Sequence, residues 1–394
     1  LNLDHLKTIE SQGDVVQLLD GLIYAAIERN SSDIHFESIE KGLRVRYRID
    51  GVLYDQLTIN KSLTLQILSR VKVLAHLNIA EKRVPQDGKF CFAFKSRSID
   101  LRISTFPNIH GEKIVIRILD RSHNKIDLDL LGFDVSMLAQ FHKLINRAQG
   151  FFLVTGPTGS GKTTTLYAAL AEIASVEKNI VTLEDPVEYN LEGITQGQIH
   201  PEAGFTFEKG IRAILRQDPD IVMVGEIRDE QTAHIAIEAA LTGHLVMSTL
   251  HTNDAVSAVM RLMDMGIEPF LINAALTGVL AQRLARKICT SCRTEVKPSI
   301  QERILLDRLD IITDTVFRGR GCSNCFNLGY KGRVGIFELL VVENDLRALI
   351  VKQPVFEAMY QQALKDGMKT LAIDGAQKVK EGIVSLQELA RLVL

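Results

Sequence analysis

Apolar and polar positions change rhythm along this 394-residue chain. Over 14–30, DVVQLLDGLIYAAIERN, apolar residues recur every three or four positions. Val15, Leu18, Leu19, Leu22, Ile23, Ala26 and Ile27 share one broad face, and Asp14 can accept from the unpaired N–H groups of the first turn, so a capped helix is predicted. The period then drops to two. Leu43-Arg44-Val45-Arg46-Tyr47-Arg48-Ile49 alternates apolar and basic before a turn at Asp50-Gly51. A helix is expected over 62–77, and strands over 98–106 and 113–119 with a bend at Asn108 and Gly111. This mixed block ends near residue 120, and the polar run Asp120 to Lys125 is the expected linker.

From residue 151 the pattern is regular. Apolar runs at 151–155, 180–183, 221–224 and 245–250 alternate with helical stretches at about 162–175, 207–216, 230–241 and 254–264. Strand–helix alternation predicts an α/β fold with a mostly parallel sheet covered by helices. After Arg286 the rhythm breaks into a cysteine-bearing stretch, and 343–394 reads as several short helices. The expected organisation is an α/β domain over 1–120, a linker over 121–133, a nucleotide-binding domain over 134–286, a cysteine subdomain over 287–333 and a helical region over 334–394.

Composition narrows this picture. Apolar residues at 46% and charged residues at 24% are the ordinary globular balance and exclude disordered and collagen-like classes. A net charge of −2 gives no overall basic excess for nucleic-acid phosphates, although a local basic groove stays open. Five cysteines are too few for a disulfide-stapled secreted fold. The longest uncharged candidate span, Leu271 to Gln282, falls short of the roughly 20 residues a membrane helix needs, and the first residues carry acids without an apolar stretch. A soluble, cytoplasmic chain is expected. It begins with Leu1, so a fragment or processed form of a longer protein is expected too.

The sharpest chemistry is the run Gly156, Pro157, Thr158, Gly159, Ser160, Gly161, Lys162, Thr163, a complete G-x-x-x-x-G-K-[ST] phosphate loop. An apolar strand precedes it and an amphipathic helix follows. Glycines let backbone N–H groups turn toward phosphate oxygens, and the helix N-terminus adds its positive end. Lys162 is expected on the β/γ-phosphates and Thr163 on Mg²⁺, with Thr164 completing the ATP-binding segment. Ligands in such sheets lie at the carboxyl ends of the strands, so other strand ends carry further candidates. Strand 180–183 ends in Glu184-Asp185, where Glu184 is expected to position the attacking water; a loop acid capping a turn is the alternative. Strand 221–224 ends in Gly225-Glu226, with glycine where many phosphate-loop enzymes place a metal-binding Asp, so Glu226 is expected to act on the metal through water or on the nucleophile. Strand 245–250 ends in His251, a candidate sensor of the γ-phosphate.

Cys289-Thr-Ser-Cys292 and Cys322-Ser-Asn-Cys325 are two C-x-x-C pairs 29 residues apart. Two such pairs complete a tetrahedral Cys₄ site, with zinc expected first; two redox pairs and an iron–sulfur cluster are the alternatives. Arg283, Arg286, Lys287, Arg293, Arg318, Arg320 and Lys331 are expected to temper the thiolate charge. Cys91 reads as a buried or strand residue without a role.

Taken in order, the phosphate loop, Thr182-Leu-Glu-Asp-Pro-Val-Glu188, Val224-Gly-Glu-Ile-Arg-Asp229 and Thr249-Leu-His-Thr-Asn-Asp254 resemble the secretion ATPases of type II secretion and type IV pilus systems. The glycine at 225 is normal in that family. Ser32-Asp-Ile-His-Phe-Glu37, Arg44 to Gly51 and Pro85-Gln-Asp-Gly88 resemble its amino-terminal domain, so the likeness covers nearly the whole chain. The resemblance implies a PAS-like α/β domain before a RecA-like ATPase domain, and arginine fingers at Arg102 and Arg117; on the residues alone these arginines also read as outward positions on alternating strands. It implies a hexameric ring at the cytoplasmic face of the inner membrane. The ring's partners would be platform proteins, namely the cytoplasmic domain of a bitopic membrane protein and a polytopic protein. Hydrolysis would drive assembly of a pilus-like fibre. The tetracysteine element resembles that of type II secretion and pilus extension ATPases, whereas retraction ATPases typically lack it. A type II secretion ATPase is therefore expected, with pilus extension as the close alternative. A nucleic-acid motor and a non-hydrolysing zinc module are the readings from other classes.

Overall fold

A computed structural model of the chain describes residues 3–120, 127–352 and 354–394, so most of the polar run expected as a linker lies outside the described residues. The chain divides into two units, 1–124 and 125–394.

The first unit runs α1 (Leu3–Gln12), α2 (Val15–Glu28), β1 (Ser31–Ile39), β2 (Gly42–Ile49), β3 (Val52–Asn60), α3 (Lys61–Leu74), β4 (Gln86–Phe94), β5 (Arg97–Asn108) and β6 (Gly111–Leu119). The strands form one antiparallel sheet in the order β3-β2-β1-β6-β5-β4. Asp14 caps α2 as expected, its Oδ1 accepting from Gln17 N at 2.9 Å. Ile34, Phe36, Val45 and Tyr47 are buried beside Leu18, Leu19, Leu22 and Ile23 of α2, and Tyr47 Oη donates to the Leu22 carbonyl at 2.7 Å. Each such side chain contributes about 1.5–3 kcal/mol by leaving water. The opposite face is charged: Asp33, His35 and Glu37 of β1 lie in register with Arg48, Arg46 and Arg44 of β2 and with Arg117, Val115 and Lys113 of β6.

The second unit runs α4 (Val135–Ile145), β7 (Gly150–Thr155), α5 (Lys162–Ile173), β8 (Ile180–Glu184), β9 (Thr195–Gln198), α6 (Phe207–Ile214), β10 (Ile221–Val224), α7 (Glu230–Leu241), β11 (Leu245–Leu250), α8 (Ala255–Asp264), α9 (Pro269–Ala275), β12 (Leu276–Ile288), β13 (Arg293–Val296), α10 (Ile300–Arg308), β14 (Val316–Gly319), β15 (Tyr330–Val341), α11 (Asn344–Lys352), α12 (Phe356–Lys365), α13 (Leu371–Lys380) and α14 (Leu386–Val393). Its main sheet has the order β15-β12-β7-β11-β10-β8-β9, parallel except for β15 against β12. Strands β7, β8, β10 and β11 are buried along their whole length, because helices cover both faces. The parallel arrangement brings the ends of β7, β11, β10 and β8 to one edge, side by side.

β12 runs across the boundary expected after residue 286, and β15 across the one expected after 333. They pair from Gly278↔Val341 to Ile288↔Tyr330, so the cysteine region grows from the far end of the sheet's own edge pair. The stretch 334–341, expected in a helical region, is strand; its short, mainly apolar run, broken by Gly335 and Glu338, has no period that separates strand from helix. The helices that follow are tied to this strand: Asp374 of α13 accepts from Phe337 N at 2.9 Å and pairs with Lys378 at 2.5 Å.

Candidate nucleotide and metal sites

The phosphate loop joins β7 to α5. Gly156 and Gly161 both take positive φ, at 147° and 89°, conformations that side-chain-bearing residues rarely adopt. Lys162 is buried, and its Nζ donates to the carbonyls of Gly156 at 2.8 Å and Pro157 at 3.2 Å. Thr163 is exposed at the helix start. Burial pulls the Lys162 ammonium down to about 8, opposed by the Glu226 charge and aided by Arg283.

Neighbouring strand ends bring polar groups to this edge. Lys162 Nζ lies 3.5 Å from His251 Nδ1, and His251 Nε2 lies 3.8 Å from Glu226 Oε2. Glu226 also pairs with Arg228. Burial and the Lys162 charge hold His251 below its ordinary value. A neutral imidazole accepting at Nδ1 from the lysine carries its proton on Nε2, facing Glu226. Lysine, histidine, glutamate and arginine thus form one chain across three adjacent strand ends. A Cβ at Gly225 would make only ordinary contacts with Glu184 and Leu183, so the backbone does not impose that glycine.

Glu184 sits differently. It is buried, and both carboxylate oxygens are engaged: Tyr167 of α5 donates to Oε2, and Oε1 accepts from Thr182 Oγ1 at 2.5 Å and Gln196 Nε2 at 3.2 Å. A carboxylate with three donors is a poor base for a water molecule, so the role expected from the sequence does not match its surroundings. Tyr167 and Gln196 escaped the sequence reading. Tyr167 looks like one more apolar position on a helix, and Gln196 lies outside the motifs, eight residues after Glu188. Thr155 was also missed; it accepts from Thr252 N at 2.9 Å and ties the base of the phosphate loop to the segment after His251.

Arg102 and Arg117 lie in the other unit, paired across β5 and β6 and both exposed. Arg117 Nε is 3.1 Å from Asp33 Oδ1. Asp33 also lies 3.5 Å from Arg48, and Glu37 gathers Arg44, Arg46 and Lys113. Burial opposes the ionisation of Glu37, but these three cations hold its carboxyl down to about 2.

The four cysteines converge. Their sulfurs all lie within 4.8 Å of one another, with Cys289–Cys322 at 3.9 Å, Cys292–Cys325 at 3.8 Å and Cys322–Cys325 at 3.7 Å. A tetrahedron with metal–sulfur bonds of about 2.3 Å has edges of about 3.8 Å, so the cage fits a four-coordinate metal. Burial and neighbouring thiols push Cys292 up to about 12. Burial works the same way on Cys325, but N–H groups of Cys322 and Gly329 outweigh it and bring that thiol down to about 7. Four thiolates this close repel one another unless a cation sits among them. Four of the basic residues expected to temper the thiolate charge have partners other than sulfur. Arg286 pairs with Glu388 at 2.7 Å, Arg318 pairs with Glu302, Arg283 donates to Asn253 O at 2.8 Å and Lys331 to Asn324 Oδ1 at 2.5 Å. Backbone N–H groups of Cys322 and Gly329 both donate to Cys325 Sγ, at 3.3 Å. Cys91 is an exposed residue of β4.

Residues 8–391 match the family model described as Type II/IV secretion system protein. The chain is 49% identical over 386 residues to the Type II secretion system ATPase E of Vibrio cholerae, covering 98% of this chain and 76% of that protein. It is 46% identical to the Type II secretion system protein E of Pseudomonas aeruginosa, covering 99% and 77%, and 44% identical to the Type IV pilus assembly ATPase PilB of Myxococcus xanthus, covering 98% and 69%. Among solved structures, the pilus retraction motor PilT with bound ADP superposes with a TM-score of 0.61 at 25% identity, covering 95% of this chain and 96% of that one. The Legionella pneumophila ATPase DotB superposes at 0.69 and 19% identity, covering 94% of each, a likeness of fold. Among the described residues no helix is long and apolar enough to cross a membrane.

Proposed function

This chain belongs to the type II/IV secretion system protein family and is a secretion ATPase, and from that premise we propose that it hydrolyses Mg·ATP at Gly156–Thr164 to drive pseudopilus assembly by a type II secretion system. The observation that carries the proposal is the convergence of Lys162, His251 and Glu226 at one edge of a parallel sheet, beside a loop whose Gly156, Gly159 and Gly161 take positive φ.

In this reading the loop N–H groups and Lys162 cradle the β- and γ-phosphates. Mg²⁺, held through Thr163, would neutralise charge building on the phosphate oxygens. Glu226, half-buried and facing outward from β10, takes over the role the sequence assigned to Glu184 and orients the attacking water. Glu184 becomes a fixed negative charge that locks α5, β8 and β9 together through Tyr167, Thr182 and Gln196. His251 links Lys162 to Glu226 and registers whether the γ-phosphate is present. Arg102 and Arg117 are arginine fingers for the transferring phosphoryl group, and Asp33 is the carboxylate that pairs with Arg117, at 3.1 Å.

Cys289, Cys292, Cys322 and Cys325 would hold Zn²⁺ as a structural ion, because four thiolates close the cage and leave no open position. The active assembly is a hexamer at the cytoplasmic face of the inner membrane, bound there through platform proteins. Pilus extension is the second reading, favoured by the 44% identity to the Myxococcus pilus assembly ATPase.

The test is ATP turnover per chain against protein concentration with Mg²⁺, for the wild type and Lys162→Ala. Activity that rises steeply with concentration and disappears in the variant supports the reading. Turnover retained in Lys162→Ala overturns the site assignment.

A further inference from the structure

The phosphate loop is braced by a residue that belongs to none of the motifs. Gln282 lies on β12, next to β7, and is 2% exposed. Its side-chain amide reaches two parts of the loop and its helix. Nε2 donates to the Ser160 carbonyl at 2.7 Å, and Oε1 accepts from Thr165 Oγ1 at 2.8 Å. The fit leaves no slack. A Cβ on Gly161 would come within 2.8 Å of the Gln282 Nε2, and one on Gly156 within 2.4 Å of the Gln282 carbonyl oxygen.

The bond to Ser160 matters because of the peptide plane. The Ser160 C=O and the Gly161 N–H belong to one planar trans unit and point in opposite directions. Anchoring the carbonyl toward β12 aims the Gly161 N–H away from β12. The bond to Thr165 fixes the first turn of α5, from which Lys162 and Thr163 project.

We propose that Gln282 is a positioning residue for nucleotide binding, holding the Ser160–Gly161 peptide and the start of α5 in the shape that presents the loop N–H groups, Lys162 and Thr163 to the β-phosphate. The proposal rests on the reading of Gly156–Thr164 as the nucleotide site. The side chain touches no phosphate itself. Its effect falls on affinity, and so on KM, more than on kcat.

The experiment measures binding of a fluorescent ADP with Mg²⁺ to the full chain, alongside thermal midpoints. The proteins are the wild type, Gln282→Met, Thr165→Val and the double variant. Methionine keeps the volume and removes both hydrogen bonds. Gln282→Met is expected to lose about tenfold in affinity and Thr165→Val about threefold, with the double variant no weaker than Gln282→Met, since both act through one bridge. In turnover, KM for ATP rises in step while kcat changes less. Undiminished affinity in Gln282→Met overturns the proposal, as do losses that add in the double variant. Thr165→Val leaves Gln282 in place and keeps the test decisive should Gln282→Met not fold, because undiminished affinity there overturns it as well. A wild type that binds no ADP overturns the underlying reading and this proposal with it. Wild-type binding with unchanged variants overturns this proposal alone.

Discussion

The phosphate loop and the cysteine cage are both candidate sites for something other than protein, and they are built in opposite ways. The loop is eight consecutive residues whose work is done mainly by backbone, and its side-chain partners arrive from adjacent strand ends. The cage is four side chains from two segments 29 residues apart, brought together where β12 and β15 end their pairing at Ile288↔Tyr330. In the loop, Lys162 is paired with the loop's own carbonyls, contacts a phosphate can replace. In the cage, the sulfurs sit close to tetrahedral spacing and a cation has nowhere further to go. Backbone donors suit a ligand that must come and go with each turnover, whereas thiolates suit one that stays.

If that contrast holds, the two sites fail separately. Lys162→Ala should lower ATP turnover by ~10²-fold or more, with metal content by atomic absorption unchanged. Loss of metal in that variant would mean the sites are not independent. Cys322→Ser opens the cage from one corner. It should bring metal content from one per chain to near zero and lower the thermal midpoint, while ADP affinity stays within about twofold of wild type. A collapse of ADP affinity would show that β12 carries the cage's state to the loop.

The pH dependence is gentler and belongs to the loop alone. Lys162 is charged below about 8 and loses its charge above it. An ordinary lysine would stay charged to about 10. ADP affinity should therefore be flat below neutrality and fall by up to about tenfold per pH unit above about 8, with proton uptake on binding seen by calorimetry in buffers of different ionisation enthalpy. Affinity flat to about pH 10 would place Lys162 in a more solvated setting. The smallest effect is expected of Tyr167→Phe, which leaves the Glu184 carboxylate one donor short. It should cost about 1–3 kcal/mol of stability in denaturant unfolding and leave metal content untouched. Turnover falling far more than stability would return Glu184 to a direct part in the reaction.

Much of the second unit could be read directly. The four strands with polar ends, the helices between them and the phosphate loop were legible because a fully buried strand is a short apolar run bounded by turn residues. The first unit was harder. β1 carries Asp33, His35 and Glu37 on one face and Ile34 and Phe36 on the other, yet those polar residues are themselves buried among arginines. β3 and β4 interleave charged residues and glycine with apolar ones and leave one face outward, which weakens their signal. β12 and β15 are hard to see in the sequence because they cross from the sheet into the cysteine region, where composition changes but the strands do not.

The local chemistry is written in the order of residues. A left-handed turn needs glycine, a phosphate loop needs its eight positions in succession, and two C-x-x-C pairs need only their internal spacing, so the candidate nucleotide segment and the candidate metal ligands follow from the chain itself. Which groups face one another is a different matter. The bond between Tyr167 and Glu184, the line from Lys162 through His251 to Glu226, and the amide of Gln282 behind Ser160 join positions 17 to 122 residues apart. Those distances are set by how strands order themselves in the sheet, and that order is decided by burying apolar faces over the whole unit at once.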